Sequence, residues 1–198
     1  MKIVIMRHGR PVLDLEAIKS QRMPSAQLGQ IVNAYELSDL DPMGAPDEDS
    51  ICVAKECAIS ISSDLPRAIS SSKLLGFEGT NRVEPCFREP ALPHMEWRRP
   101  KLALYSWAIL FRLAWLCGFS KNGESIHETK ARSRLGADKL ELFARESEAV
   151  LHVGHGIMNR LLVRELRRRK WLVKKRTGEK YWSYTILEYG ANQWATQK

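Results

Sequence analysis

The chain opens on three β-branched residues, Ile3-Val4-Ile5, and follows them at once with Met6-Arg7-His8-Gly9-Arg10. An apolar run this short and continuous reads as a buried strand, too short for a helix and too uniformly apolar for an edge. The strand delivers a cation, an imidazole and a glycine to its C-terminal end, the end at which open α/β sheets bind ligands. The glycine permits close backbone approach or a positive φ. Arg-His-Gly alone is three common residues, so partners for it must be sought in the rest of the chain.

Strand patterns recur at Cys57–Ser63, Asn81–Phe87, Ala149–Val153 and Tyr181–Tyr189. Helical stretches fall from Ser25 to about Leu37, Pro66–Leu75, Lys101–Cys117, Glu124–Arg145, and from Gly156 to about Lys170. Pro66 stands where a helix tolerates proline, in its first turn. Asp39–Ser50 holds two prolines, a glycine and five acidic residues and reads as an exposed loop. Alternating strands and helices predict a three-layer α/β/α sandwich with a mostly parallel central sheet. With 198 residues, and no repeat, low-complexity segment or composition shift, a single domain over residues 1–198 is expected.

Composition narrows the function classes. The four cysteines, Cys52, Cys57, Cys86 and Cys117, form no CxxC pair and no Cys/His cluster, so neither a zinc site nor a disulfide framework is expected. Free thiols suit a reducing cytoplasm. No signal peptide is read at the start, because Arg7 and His8 interrupt the apolar run. The segment Leu102–Phe119 is apolar apart from Ser106 and Arg112. A mid-segment arginine would cost about 3 kcal/mol in a bilayer, so a largely buried helix is expected, with Arg112 paired or reaching solvent. Gly76-Phe77-Glu78-Gly79 lacks the lysine of a nucleotide loop. The net charge of +8 is local: Arg160 to Arg176 holds nine basic residues and one acid. A solvated helix face plus a charged loop is the favoured reading, ahead of a nucleic-acid surface.

Three strand ends carry kindred chemistry: Arg7-His8-Gly9, Arg67 just inside the helix after Ser62-Ser63, and Gly154-His155-Gly156. If these strands are neighbours, two guanidiniums and two imidazoles converge. Guanidinium forks match phosphate oxygens, and the helix N-termini after Asp64 and Gly156 would add N–H groups. A histidine among cations resists protonation, and a neutral imidazole can attack phosphorus.

On these residues the chain resembles the histidine phosphatase superfamily, which includes the cofactor-dependent phosphoglycerate mutases. The resemblance lies in Arg-His-Gly after the first strand, the Ser-Ser-x-x-x-Arg-Ala pattern at Ser62–Ala68, and the late Gly-His-Gly. It implies that His8 is phosphorylated, and that Arg7, Arg67 and His155 hold the phosphoryl group. It implies a carboxylic acid that protonates the leaving group; Glu89, in Phe87-Arg88-Glu89-Pro90, is the match, with Glu84 and Glu96 as substitutes. Arg10-Pro11 replaces the usual continuation of the motif, and Asp14 falls near a position that often holds a phosphate-binding asparagine. The implied function is a metal-independent phosphomonoester hydrolase, with no cofactor, acting on a small phosphorylated substrate or a phosphoprotein. The alternatives are a phosphoglycerate-type mutase, or a low-activity phosphate- or nucleic-acid-binding module. Neither substrate nor oligomeric state is readable from the sequence.

Overall fold

A computed structural model describes residues 1–190; the last eight residues of the expected domain lie outside the described residues. In chain order the strands are β1 (Lys2–Arg7), β2 (Arg22–Pro24), β3 (Ile59–Ser62), β4 (Asn81–Val83), β5 (Lys101–Ala103), β6 (Ala149–Gly154), β7 (Trp171–Arg176) and β8 (Tyr184–Tyr189). The helices are α1 (Ser25–Leu37), α2 (Glu48–Lys55), α3 (Pro66–Leu74), α4 (Leu104–Leu116), α5 (Ile126–Ser147) and α6 (Gly156–Arg168). The main sheet runs β4-β3-β6-β1-β8-β7. Its first four strands are parallel; β8 and β7 are antiparallel. The mostly parallel α/β architecture expected from the alternation is present.

β1 lies inside the sheet, between β6 and β8, and its side chains alternate between two cores. Ile3 and Ile5 face a cluster with Leu140, Met158 and Leu162 from α5 and α6. Val4 and Met6 face one with Val53 of α2, Ala68 of α3 and Leu75 just past the end of α3. A third cluster stands apart, where Leu28 of α1 packs with Leu104, Trp107 and Phe111 of α4. That pair of helices is tied down by the small sheet β2-β5.

Several boundaries differ from the sequence reading. The third strand stops at Val83 rather than Phe87, because Pro85, which has no N–H to offer a ladder, starts a 3₁₀ turn over Pro85–Phe87. Lys101–Ala103 is strand rather than helix. α2 arises inside and just beyond the acidic loop, where Asp47 caps it by accepting from the Ser50 N–H at 2.7 Å. The charged loop expected after α6 is the edge strand β7, whose exposed lysines and arginine suit an unpaired edge. α4 is not largely buried. Trp107, Phe111 and Trp115 are covered, whereas Ile109, Leu113 and Leu116 are each more than half exposed. Among the described residues no helix is long and apolar enough to cross a membrane. All four cysteines are free.

The register is what places the site. Arg7 of β1 stands opposite Gly154 of β6, and Ser62 of β3 stands opposite Val153. His8, Ser63 and His155 therefore leave three adjacent strands at one level.

Candidate active site

The strand ends bring four of the singled-out residues together. His8, Arg67 and His155 are each no more than 2 % exposed, and the two imidazole centroids lie 4.9 Å apart. His8 Nδ1 is 2.6 Å from the Gly9 carbonyl oxygen. A carbonyl only accepts, so Nδ1 carries the proton and Nε2 holds a lone pair. The Arg67 Nε–H donates to that Nε2 at 3.3 Å. Burial first, then the Arg67 and Arg7 charges, hold His8 well below the usual histidine range, against the opposing pull of its bond to Gly9. His155 is lowered in the same way, by burial and then by His8 and Arg67. Both imidazoles are neutral at pH 7.

The glycines of both motifs are close-approach positions. A Cβ on Gly9 would stand 2.3 Å from the Trp182 ring, and one on Gly154 would stand 2.3 Å from His152 Nε2. The Gly9 N–H donates to Ser71 Oγ of α3 at 2.9 Å, tying the motif loop to the helix that carries Arg67.

Arg67 Nη1 donates to the Tyr35 and Glu36 carbonyls at 2.8 and 3.1 Å, at the C-terminal end of α1, with its guanidinium over the Tyr35 ring. Arg7 lies over the Tyr181 ring and donates from Nη1 to the Glu179 carbonyl at 2.6 Å. Ser63 Oγ is 2.6 Å from His155 Nε2. Among the described residues, Arg7 Nε and His155 Nδ1 are buried without hydrogen-bond partners. Such orphans are rare in a folded interior and call for an explanation.

Glu89 reaches the same region differently from the other four. Its two oxygens accept the Ile157 N–H at 2.9 and 3.1 Å, and one also accepts the Met158 N–H at 3.0 Å. The α6 N-terminus, expected to offer free N–H groups to an anion, is thus occupied by Glu89; α6 carries no acid in its own first turn. The segment leading to Glu89 is pinned by Arg132, which donates to the Cys86 and Arg88 carbonyls at 2.8 and 2.6 Å and pairs with Glu124. Glu124-Ser125 thereby serves as a helix start, with a capping box between Ser125 and Glu128. The substitutes for Glu89 lie elsewhere: Glu84 pairs with Lys139 at 2.9 Å, and Glu96 is exposed.

The departures in the first motif have a structural account. Arg10 turns outward to Asp14 at 2.9 Å and towards Asp41 at 3.7 Å. Pro11 bridges Leu40, and the Asp41 N–H donates to the Arg10 carbonyl at 2.7 Å. Residues 10–12 thus staple the motif loop to the 39–41 segment, and Asp14 is neutralised by Arg10. Arg88, next to Glu89, is engaged by Asp64 through two hydrogen bonds of 3.0 and 2.6 Å. His94 is half-buried against Gly29.

Sequence reasoning missed Tyr35, Tyr181 and Asn159. Asn159 donates to the Met6 carbonyl at 3.0 Å and holds His152, a core histidine packed on Phe87. Its position one turn into the helix after Gly-His-Gly was the available signal. The two tyrosines come from elements that meet the site only in three dimensions. Among the described residues no group of three or more His, Cys, Asp or Glu could hold a metal ion.

Three buried histidines make the fold acid-sensitive. Burial lowers His152 from an ordinary value near 6.5 to about 4, and His8 and His155 shift the same way. Below about pH 6.5 the unfolded chain takes up protons that the fold refuses, so stability is full above that pH and is lost as the pH falls towards the folded values. At about 1.4 kcal/mol per pH unit, His152 alone contributes a loss of about 3 kcal/mol. Urea unfolding between pH 7.5 and 5 is expected to show a midpoint that holds above about pH 6.5 and falls below it. A midpoint that stays level over that range would contradict the assignment of neutral buried rings.

Residues 53–198 match the family model of the histidine phosphatase superfamily, branch 1. Several solved structures share the fold. A mycobacterial glucosyl-3-phosphoglycerate phosphatase is 23 % identical, with 84 % of this chain and 79 % of that one covered at a TM-score of 0.55. An open-reading-frame product of Mycobacterium tuberculosis is 16 % identical, covering 96 % and 92 % at 0.60. A candidate alpha-ribazole-5'-P phosphatase of Escherichia coli is 19 % identical, covering 84 % and 79 % at 0.56. No curated protein sequence matches the chain.

Proposed function

Because the chain belongs to the histidine phosphatase superfamily, we propose that it hydrolyses a phosphomonoester through a phosphohistidine formed on His8. His8 Nε2 attacks phosphorus, and the bond from phosphorus to the alcohol oxygen breaks as Glu89 gives that oxygen a proton. Water then attacks phospho-His8, returning its proton to the Glu89 carboxylate. Inorganic phosphate leaves and His8 Nε2 regains its lone pair. The observation that carries this reading is the pairing of that buried lone pair with two orphaned nitrogens, Arg7 Nε and His155 Nδ1. A phosphoryl group at His8 gives both a partner. The Ser63 hydroxyl accepts the Leu65 N–H at 3.4 Å and is free to donate to His155 Nε2. With the Ser63 hydroxyl donating in that contact, the His155 proton sits on Nδ1, as a donor to the phosphoryl oxygens. The two arginines supply positive charge where the transition state spreads negative charge, a task that needs no metal ion.

Glu89 lines one cavity with Arg67, which supports its role as proton donor. Glu89→Gln keeps hydrogen-bonding shape and removes the acid. Hydrolysis of an alkyl phosphate is expected to fall by about 10²- to 10⁴-fold. Hydrolysis of p-nitrophenyl phosphate, whose leaving group needs no proton, is expected to fall far less. Equal losses on both esters would remove Glu89 from the role. Turnover on either ester is expected to survive excess chelator.

A further inference from the structure

The cavity that Arg67 and Glu89 share has a volume of about 200 Å³ and lies against α1, α4 and the segment after Glu89. Away from those two charges most of its wall is apolar, with Leu28, Ile31, Val32, Leu92, Leu104 and Ala108 beside the rings of Tyr35 and Tyr105. An apolar cavity of about 150 Å³ accommodates benzene, so this one suits a substituted single ring or an alkyl group of like size. It would serve a polyhydroxylated group poorly, since such a wall leaves hydroxyls unpaired.

Two further charged residues break the apolar pattern, Glu36 and Arg112 of α4. Arg112 is half-buried, stacked on Trp115 at 4.9 Å, and its Nη2 reaches the Pro90 carbonyl only at 3.4 Å. Among the described residues its Nη1 is buried without a partner. The nearby acid, Glu89, makes no hydrogen bond to Arg112 among the described residues; its oxygens accept the Ile157 and Met158 N–H groups. Glu36 forms no ion pair or hydrogen bond with Arg112 among the described residues. A desolvated guanidinium with unmet donors is costly, and an oxyanion is its strongest complement.

We propose that this cavity receives the alcohol part of the phosphomonoester, a small apolar group of about one ring, and that Arg112 binds an acidic oxygen group carried on it. The inference rests on the phosphatase reading above.

The test compares phenyl phosphate, 4-carboxyphenyl phosphate and glycerol 3-phosphate on the wild-type protein, Arg112→Met and Arg112→Lys, with His8→Ala as control. The wild-type protein is expected to favour the carboxylated ring over the plain ring by at least about tenfold in kcat/KM, and the plain ring over glycerol 3-phosphate. In Arg112→Met the first ratio is expected to drop towards one, and Arg112→Lys to retain part of it. Differences in intrinsic reactivity between the esters are common to all variants and cancel in that comparison. A ratio near one in the wild-type protein, or the same ratio in wild type and Arg112→Met, overturns the role of Arg112. Glycerol 3-phosphate used as well as phenyl phosphate overturns the apolar pocket. Both failures would leave His8-dependent hydrolysis standing; absence of His8-dependent hydrolysis on every ester would instead sink the phosphatase reading, and this inference with it.

Discussion

Replacing His8 with alanine is expected to lower kcat/KM by about 10⁴-fold or more while leaving the fold in place, because the nucleophile of a covalent mechanism has no understudy. His155 is not one. Its ring is 4.9 Å from His8, but its Nε2 is tied to Ser63 and its Nδ1 is read as a proton donor. Little of the framework depends on the His8 side chain, which bonds the adjacent Gly9 carbonyl and the Arg67 Nε–H, and Arg67 keeps its hold on the end of α1 without it. The backbone of the motif is held independently, by the His8 N–H to the Gly154 carbonyl at 2.9 Å and by Gly9 to Ser71. Steady-state kinetics beside urea unfolding separates the two effects. Activity within tenfold of wild type in a folded His8→Ala protein would remove His8 from the chemistry.

Arg67→Met is expected to cost both activity and stability. The guanidinium spans two jobs, one towards His8 Nε2 and one towards the last carbonyls of α1. Loss of a preorganised charge on the transferring group is worth about 10²- to 10³-fold in rate. The Glu36 carbonyl would lose its Arg67 donor and the Tyr35 carbonyl would keep only the Ser38 N–H at 3.3 Å, a loss of about 1–3 kcal/mol. A drop in kcat/KM of at least about 10²-fold and a lowered urea midpoint should therefore appear together. Arg67→Lys is expected to rescue little, because a single ammonium cannot reach His8 and the α1 end at once. Rescue to near wild-type activity by lysine would show that charge alone suffices and that the fork geometry is idle.

The sheet was legible in the sequence wherever a strand is buried on both faces. Ile3-Val4-Ile5 and Ala149-Val150-Leu151 have no polar side to hide, and their run-on apolar pattern announces a covered parallel strand. β7 was not legible, because an edge strand guarded by lysine and arginine shares its composition with a solvated loop. β2 and β5 are three residues each, and their pairing exists only once the chain has folded back on itself. The same divide runs through the candidate site. Arg7, His8, Arg67 and His155 lie at strand and helix ends, where local pattern fixes position, and the register then brings them level. Glu89 was reached through the family resemblance, but its grip on the α6 N-terminus was not foreseen. Tyr35, Tyr181 and Arg112 come from α1, the loop before β8, and α4. Their convergence depends on how α1 and α4 pack, which no spacing in the sequence records. Arg112 shows the limit well: in sequence it is a break in an apolar run, and in the fold it is a half-buried cation beside Glu89.

The central claim is a phosphoryl group carried on His8. Mixing the protein with an ester substrate for milliseconds, quenching in alkali and mapping the digested peptides by mass spectrometry tests it directly. The expected result is an acid-labile, alkali-stable phosphoryl group on His8 that decays as inorganic phosphate appears, and that is absent from His8→Ala. Steady release of phosphate with no phosphoryl group on His8 at any time point, or a phosphoryl group on His155 instead, would contradict it.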